Sequence, residues 1–170
     1  MTAALVAVVA LLAVLLTMAG EAALSAFNER VLRQRGAVAP PGDWYETTRW
    51  AYPLSFVLMA LEGAWSGPAS PDVLSAGLVL FALSKALKLW AISTLGVRWT
   101  FRLLVLPGAP LITHGPYALL RHPNYVAVIG ELVAMALIVR APVMGIIATA
   151  AYAVLLRRRA AAEDRALGRQ

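Results

Sequence analysis

The sequence predicts an all-α integral membrane protein with about five transmembrane helices, one long cytoplasmic loop and a helical C-terminal tail. Its 170 residues are 61% hydrophobic, whereas a soluble domain is usually about 45–50% apolar. The apolar residues are also concentrated in blocks, several of which approach the ~20 residues that a helix needs to cross a bilayer. No internal repeat or low-complexity linker divides the chain. We therefore expect residues 1–170 to form one membrane-embedded domain.

The apolar blocks give the predicted helices in chain order: 1–26, 52–65, 73–95, 124–139 and 142–156. The second and fourth are the weakest predictions because they are short. We expect the first helix to continue beyond the membrane to a stop at Gly36, since glycine commonly ends helices. The fifth should continue as the tail "RRRAAAEDRAL". Block 1–26 has no basic start and is too long for a signal peptide, so we expect it not to be cleaved.

The distribution of arginine predicts the topology, because cytoplasmic loops are rich in Lys and Arg. Twelve arginines lie in residues 27–51, 96–123 and 157–170, and Arg140 alone lies in a connection on the other side. The N-terminus is thus predicted to be outside and the tail cytoplasmic. The net charge of +6 would face anionic lipid headgroups, and we expect no nucleic-acid partner. The Ala/Arg/Val-rich composition suggests a bacterial inner membrane.

The connection over residues 96–123 is longer than most, and such loops are usually functional or disordered. Its sequence does not have a disordered composition. The segments "TFRLLVL" and "PLIT" flank Pro107-Gly108 and can form a small β-hairpin against the membrane surface. We therefore expect an ordered segment that leads directly into the fourth helix.

The stretch "HGPYALLRHPNY", residues 114–125, is unusually polar for this chain. Gly115-Pro116 predicts a turn, and Pro123 suits the first turn of the next helix. A helix N-terminus presents free N–H groups and a partial positive charge. With Arg121 and His122 beside it, this terminus could bind a carboxylate or another anionic group. The alternative is that Arg121 contacts lipid phosphate and the tyrosines are interfacial anchors.

The tail offers complementary groups. Arg159 and Glu163 are four residues apart and share one helix face. If the tail meets His122, Glu163 and Asp164 could hold an ammonium or a sulfonium ligand, and Arg159 could hold a substrate carboxylate. The alternative is an exposed helix with an ordinary ion pair between positions i and i+4.

Ionisable residues within the apolar blocks are functional candidates by default. Glu131 lies about two turns into the fourth helix, on the same face as Asn124. The alternative is that Glu131 pairs with Lys85 or Lys88 for stability. Those two lysines could instead extend to the cytoplasmic interface. Glu21 and Glu62 are weaker candidates because they lie nearer the ends of their blocks.

Several kinds of site are not expected. The absence of cysteine excludes disulfides, thiolate ligands and a cysteine nucleophile, and with only two histidines we expect no metal site. We find neither the phosphate-binding nor the zinc-protease motifs, and no G-x-S-x-G segment.

The segment "LITHGPYALLRHPNYVAVIGE" resembles the signature of the isoprenylcysteine carboxyl methyltransferase family of membrane enzymes, roughly G-x-Y-x-x-x-R-H-P-x-Y-x-G. Ala127 stands where many members have glycine, a departure that affects helix packing. The tail resembles the family's R-x-x-x-E-[ED] ending, which implies that Arg159 and Glu163 are the catalytic pair. "NERVLRQRGA" and "GVRWTFRLLVLPGAPL" look like the shorter bacterial branch. The matching signature residues are Gly115, Tyr117, Arg121, His122, Pro123 and Tyr125.

The resemblance implies an S-adenosylmethionine-dependent methyltransferase without a Rossmann domain. The cofactor would lie in a cytoplasm-facing pocket roofed by the tail, and a lipophilic acceptor would enter from the bilayer between helices. Family members methylate prenylcysteine carboxylates, while similar bacterial proteins are associated with O-methylation of long-chain alkylpyrones or alkylresorcinols. A phospholipid amine is a third acceptor class. The implied cofactor-binding residues are His114, Gly115, Tyr117, Arg121, His122, Tyr125 and Glu163.

Two alternatives from other classes remain. Membrane sterol-type reductases carry a similar "HPNY" segment and bind NADPH there, but they typically place Gly-Glu directly after the residue that follows the Tyr. Here Gly130-Glu131 comes later. The other alternative is a non-catalytic membrane scaffold. Binding of S-adenosylhomocysteine or of NADPH would separate the three.

Overall fold

The computed structural model describes residues 2–168, which form five α-helices and one long ordered loop. Two short 3₁₀ turns, Gly96–Arg98 and Gly115–Ala118, lie in the loop between the third and fourth helices. The predicted all-α fold with five helices is therefore confirmed. Met1 of the first predicted block and Arg169 of the basic tail lie outside the described residues. The helices are α1 (Ala3–Gln34), α2 (Tyr45–Ser66), α3 (Pro71–Leu95), α4 (Pro123–Val139) and α5 (Pro142–Ala166).

Two segments are long and apolar enough to cross a membrane, Ala3–Gln34 and Pro71–Arg98. Only 11% and 17% of their most apolar windows are buried inside the protein. The core helix of a soluble protein would instead be mostly buried, so these exposed apolar surfaces support the membrane prediction. Crossing of the bilayer by α2, α4 and α5 stays a prediction.

The helix ends follow local sequence signals. Three helices, α3, α4 and α5, begin with proline, whose missing N–H costs little in the first turn. Helix α1 ends one residue before Arg35, and Gly36 follows with a φ of +85°, as the predicted stop at Gly36 requires. Helix α2 begins at Tyr45, well before the predicted residue 52, because its first two turns are amphipathic rather than apolar.

The centre of the fold is α4, which is buried on several sides by the other helices. Glycines allow the closest approaches. A Cβ added to Gly130 of α4 would lie 2.2 Å from Ser84 Oγ of α3, and one added to Gly63 of α2 would lie 2.3 Å from the Val139 carbonyl oxygen. Small residues at helix contacts are typical of membrane bundles, where close backbone packing replaces the hydrophobic driving force.

The predicted β-hairpin is wrong, since residues 2–168 contain no strand. Val105 instead forms an isolated antiparallel bridge with Val38, in the connection between α1 and α2, through two N–H···O bonds of 2.9 Å. The loop is tied to α1 by two side chains. Asn28 Nδ2 donates to the Trp99 carbonyl oxygen over 2.8 Å, and Ser25 Oγ accepts from the Phe101 N–H over 2.7 Å. These contacts hold the loop against α1 and the connection that follows it. The loop residues therefore pair with other segments and not with each other as in a hairpin.

Candidate functional site

A cavity of about 720 Å³ lies between the five helices and the long loop. This volume is within the range of small-molecule and cofactor sites. Tyr152, Leu156, Arg159 and Glu163 line it from one face of α5. At about 1.5 Å rise per residue, the eleven positions from Tyr152 to Glu163 span about 16 Å. The cavity is therefore elongated, with Glu163 near one end and Tyr152 towards the other.

The tail meets the start of α4 at the first of these ends. His122 Nδ1 lies 3.5 Å from Glu163 Oε2, and His122 Nε2 lies 3.3 Å from Asp164 Oδ1. The Tyr125 hydroxyl donates to Glu163 Oε2 over 2.7 Å. The rings of His122 and Tyr125 are stacked, with centroids 5.2 Å apart. Residues separated by about forty positions thus form one polar group, which we call the His122–Glu163 wall: His122, Tyr125 and Glu163 line the cavity, and Asp164 contacts His122 from outside the lining.

These contacts shift the pKa values of His122 and Glu163. The hydrogen bond with Glu163 raises the pKa of His122 above its ordinary value, with a contribution from Asp164 and against the effect of burial. Burial favours a higher pKa for Glu163, but hydrogen bonds to His122 and Tyr125 and the charge of Arg159 outweigh it, so this pKa is lowered. Glu163 is accordingly a carboxylate at neutral pH. Within the wall two carboxylates face one histidine, and Arg159 lines the cavity on the same face of α5.

Arg159 is held by protein groups from α2 and the loops. Its guanidinium donates to Thr48 Oγ1 over 3.2 Å and to the Phe101 carbonyl oxygen, and it lies 3.6 Å from Asp43 Oδ1. The alternative of an ordinary Arg159–Glu163 ion pair is therefore wrong, because Arg159 pairs with Asp43 and Glu163 with His122. Burial raises the pKa of Asp43, and the charge of Arg159 opposes this.

Asp43 was not among the sequence candidates. It lies in the connection between α1 and α2, where Oδ1 also accepts from the Leu103 N–H over 3.0 Å. A single aspartate after a Pro-Pro-Gly turn resembles any exposed turn residue. Its partner is 116 positions away, so no local signal could have indicated the contact.

The residues implied as cofactor ligands fall into two groups. Tyr117, His122, Tyr125 and Glu163 line the cavity, and Asn124 joins them. His114 and Arg121 are exposed and do not line it. Gly115, which also does not line it, has a φ of +60°, and a Cβ there would lie 2.7 Å from Thr94 Oγ1. Gly115 therefore lets the turn Gly115–Ala118 pack closely against α3.

A second polar group lies deeper in the bundle. Glu131 is fully buried and pairs with Lys88 at 2.9 Å and with Lys85 at 3.2 Å. The same lysines pair with Glu21 of α1, at 2.8 Å for Lys85 and 3.0 Å for Lys88. The Tyr52 hydroxyl donates to Glu131 over 2.6 Å. We call these residues the buried ion cluster (Glu21, Tyr52, Lys85, Lys88 and Glu131).

The cluster decides between the two interpretations of the lysines. Pairing of Glu131 with Lys85 and Lys88 is confirmed, and extension of the lysines to the interface is wrong, because both ammonium groups lie between two carboxylates within the bundle.

Glu62 lies outside the buried ion cluster and has a different role. It accepts from the N–H groups of Val143 and Met144 at 3.0 and 2.7 Å, and so satisfies free donors at the start of α5. In the described part of the chain, no three His, Asp or Glu residues form a potential metal group.

Two comparisons with known proteins found a match. The model of the isoprenylcysteine carboxyl methyltransferase family matches residues 76–169, which is more than half of the chain. The "Uncharacterized protein YpbQ" of Bacillus subtilis (strain 168) is 32% identical over 150 residues, covering 88% of this chain and 89% of that protein. No solved structure matches the chain.

The chain belongs to the isoprenylcysteine carboxyl methyltransferase family, so the resemblance of its motifs is confirmed. Together with the two apolar helices, this membership indicates a membrane-bound methyltransferase for a lipophilic acceptor. The matched region contains α4, the tail and both lysines of the buried ion cluster. Asp43, Glu21 and Tyr52 lie outside it.

Proposed function

We propose that the protein transfers a methyl group from S-adenosylmethionine to an oxygen atom of a lipophilic acceptor at the membrane surface. The observation that carries the proposal is the His122–Glu163 wall. It joins the two segments on which the family resemblance rests, and it does so on the surface of a cavity large enough for a cofactor and part of an acceptor.

The residues of the wall fit the cofactor. The methyl donor carries a sulfonium and an ammonium group, and the wall carries two carboxylates against one histidine. Opposite charges in a partly buried site attract each other strongly. His122 and Tyr125 fix Glu163 by two contacts, so that its carboxylate is oriented before a ligand arrives.

The cofactor supplies an electrophilic methyl group, and the protein must align an acceptor oxygen with it and keep water away. The loop over residues 98–112, which lines much of the cavity, is suited to excluding water. The wall provides fixed charge in a site of low polarity, where electrostatic stabilisation is most effective.

The acceptor oxygen belongs to a carboxylate or to a hydroxyl group. Arg159 could bind a carboxylate through two parallel hydrogen bonds, as the family resemblance implies. The Nε of Arg159 has no hydrogen-bond partner in the structure, but its terminal nitrogens contact Thr48, Phe101 and the Asp43 carboxylate. Because Asp43 would repel a second carboxylate beside this guanidinium, we favour a hydroxyl acceptor. Its proton must then leave, and His122 and Glu163, which line the cavity beside each other, are candidates to accept it.

The test uses the full-length protein in nanodiscs. Isothermal titration should show binding of S-adenosylhomocysteine and none of NADPH. Labelled S-adenosylmethionine should then methylate pentadecylresorcinol faster than N-acetyl farnesylcysteine. Binding of NADPH without S-adenosylhomocysteine would contradict the proposal, and faster methylation of the farnesyl compound would assign the acceptor as a carboxylate.

A further inference from the structure

The proposed function uses the end of the cavity at the His122–Glu163 wall and gives no role to the residues at the other end. Three members of the buried ion cluster, Glu21, Tyr52 and Lys88, line the cavity there, each from a different helix. The Tyr52 ring packs against Tyr152, with centroids 5.2 Å apart. Because Tyr152 lies about 16 Å from Glu163 along α5, these groups are well separated from the wall.

The hydrogen bonds of Tyr52 and Lys88 are only partly used by the protein. An ammonium group has three N–H donors, and Lys88 donates one of them to Glu21 over 3.0 Å. Its contact with Glu131, at 2.9 Å, is an ion pair without a hydrogen bond, so at least one donor remains for a ligand. The Tyr52 hydroxyl donates to Glu131, which leaves its oxygen able to accept. Lining the same cavity, the two side chains therefore offer one donor and one acceptor to a ligand.

The charge of the cluster limits what this ligand can be. Two ammonium groups and two carboxylates balance each other, and all four lie within 3.2 Å of their partners. An anion or cation added here would be a buried charge without a partner, which is costly. A neutral hydroxyl group matches the site, since it can donate to Tyr52 and accept from Lys88.

The cavity is also open beside the cluster. Ala19 and Ala22 of α1 flank Glu21, line the cavity and are exposed. An apolar chain bound at this level can thus extend past α1 towards lipid while its polar head remains inside. An uncharged head and an apolar chain together describe a hydroxylated lipid.

We propose that Tyr52 and Lys88 form an acceptor subsite, which binds an uncharged hydroxyl group other than the one that is methylated. The proposal rests on the proposed methyltransferase function, and it assigns a binding role to Tyr52, which lies outside the family match. Lys85 makes the matched control. It bonds to the same two carboxylates as Lys88 but does not line the cavity.

The experiment measures binding of two probes to nanodisc-embedded protein in the presence of S-adenosylhomocysteine. Pentadecylresorcinol carries two hydroxyl groups and pentadecylphenol one, so their affinity ratio reports the second hydroxyl. The wild type should prefer the resorcinol by at least about tenfold, as expected for a hydrogen bond to a charged donor. Tyr52→Phe and Lys88→Gln should bring the ratio close to one, and Lys85→Gln should leave it unchanged.

Two results would overturn the subsite: a wild type that does not distinguish the probes, or a Lys85→Gln variant that loses as much preference as Lys88→Gln. The second would show that the cluster acts only through the fold. If Lys88→Gln does not fold, Tyr52→Phe decides, because it removes one oxygen and keeps the ring packing. Binding of S-adenosylhomocysteine is measured separately. Its absence in the wild type contradicts the proposed function, whereas its presence with an unchanged probe ratio contradicts the subsite alone.

Discussion

Replacing Glu163 by Gln should weaken the binding of S-adenosylmethionine more than that of S-adenosylhomocysteine. The two ligands differ by one methyl group and by the positive charge on sulfur. Glutamine keeps the shape of the side chain and can still accept from Tyr125, so the substitution mainly removes the negative charge. The difference between the two ligands therefore isolates the interaction of Glu163 with the sulfonium.

The expected magnitude follows from Coulomb's law. We take a sulfonium bound at the Glu163 end of the elongated cavity, at a separation of about 6 Å from the Glu163 carboxylate. At an effective dielectric constant of about 20, this pair contributes about 3 kcal/mol. Since the cavity is partly open to solvent, we expect about 1–3 kcal/mol, or roughly a five- to 150-fold loss of affinity for S-adenosylmethionine.

Isothermal titration of both ligands, without acceptor, measures the effect. Asp164→Asn is the control, because it removes the same charge from the neighbouring residue, which does not line the cavity. Its effect on the ratio of the two affinities should be smaller. Equal losses for both ligands in Glu163→Gln would refute the assignment of Glu163 as the partner of the sulfonium.

Four further predictions concern the cofactor site, the methylation step, the pH dependence of stability and the membrane topology. His122→Ala and Tyr117→Phe should each weaken binding of S-adenosylhomocysteine without unfolding the protein, and unchanged affinity in both would remove these residues from the cofactor site. Arg159→Lys should slow methylation of a carboxylate by about 2 kcal/mol or more in barrier, whereas methylation of a hydroxyl should suffer more from Glu163→Gln and show a required base in its pH–rate profile. The contact of His122 with Glu163 should stabilise the protein most between about pH 4.5 and pH 6.5. The raised pKa of His122 makes the contribution disappear as pH rises through that pKa, and the lowered pKa of Glu163 makes it disappear in acid, so the excess in Tm of the wild type over His122→Ala should shrink on both sides. Finally, a C-terminal reporter that is active only outside the cytoplasm should remain inactive, and activity would reverse the predicted topology.

Local patterns were sufficient for the helices, apart from the start of α2, but not for the contacts between them. Apolar blocks and prolines indicated where α3, α4 and α5 begin, because both signals act within a few residues. The meeting of His122 with Glu163 could be anticipated only through the family resemblance. Hydrogen bonds such as that from Tyr52 to Glu131, across 79 positions, depend on how the helices pack, and hydropathy does not report packing.

The prediction of a β-hairpin in the loop over residues 96–123 failed for a related reason. Its residues have the composition of a β-hairpin, and the prediction considered only neighbouring segments as partners. In the structure, Val105 pairs with Val38 and the Leu103 N–H with Asp43. Both partners come from the connection between α1 and α2. This connection lies beside the loop because of the way in which the helices pack.

The buried ion cluster also has a consequence for how the chain enters the membrane. A lone charge near the centre of a bilayer-spanning helix raises the free energy of insertion by about 2.5–3.5 kcal/mol. Helix α3 carries two such charges, Lys85 and Lys88, and their carboxylate partners are on α1 and α4. If α4 crosses the bilayer as predicted, none of these three helices is uncharged in the membrane by itself. Biogenesis should therefore retain α1 and α3 beside the insertion machinery until α4 emerges, because only then are all the carboxylate partners of Lys85 and Lys88 present.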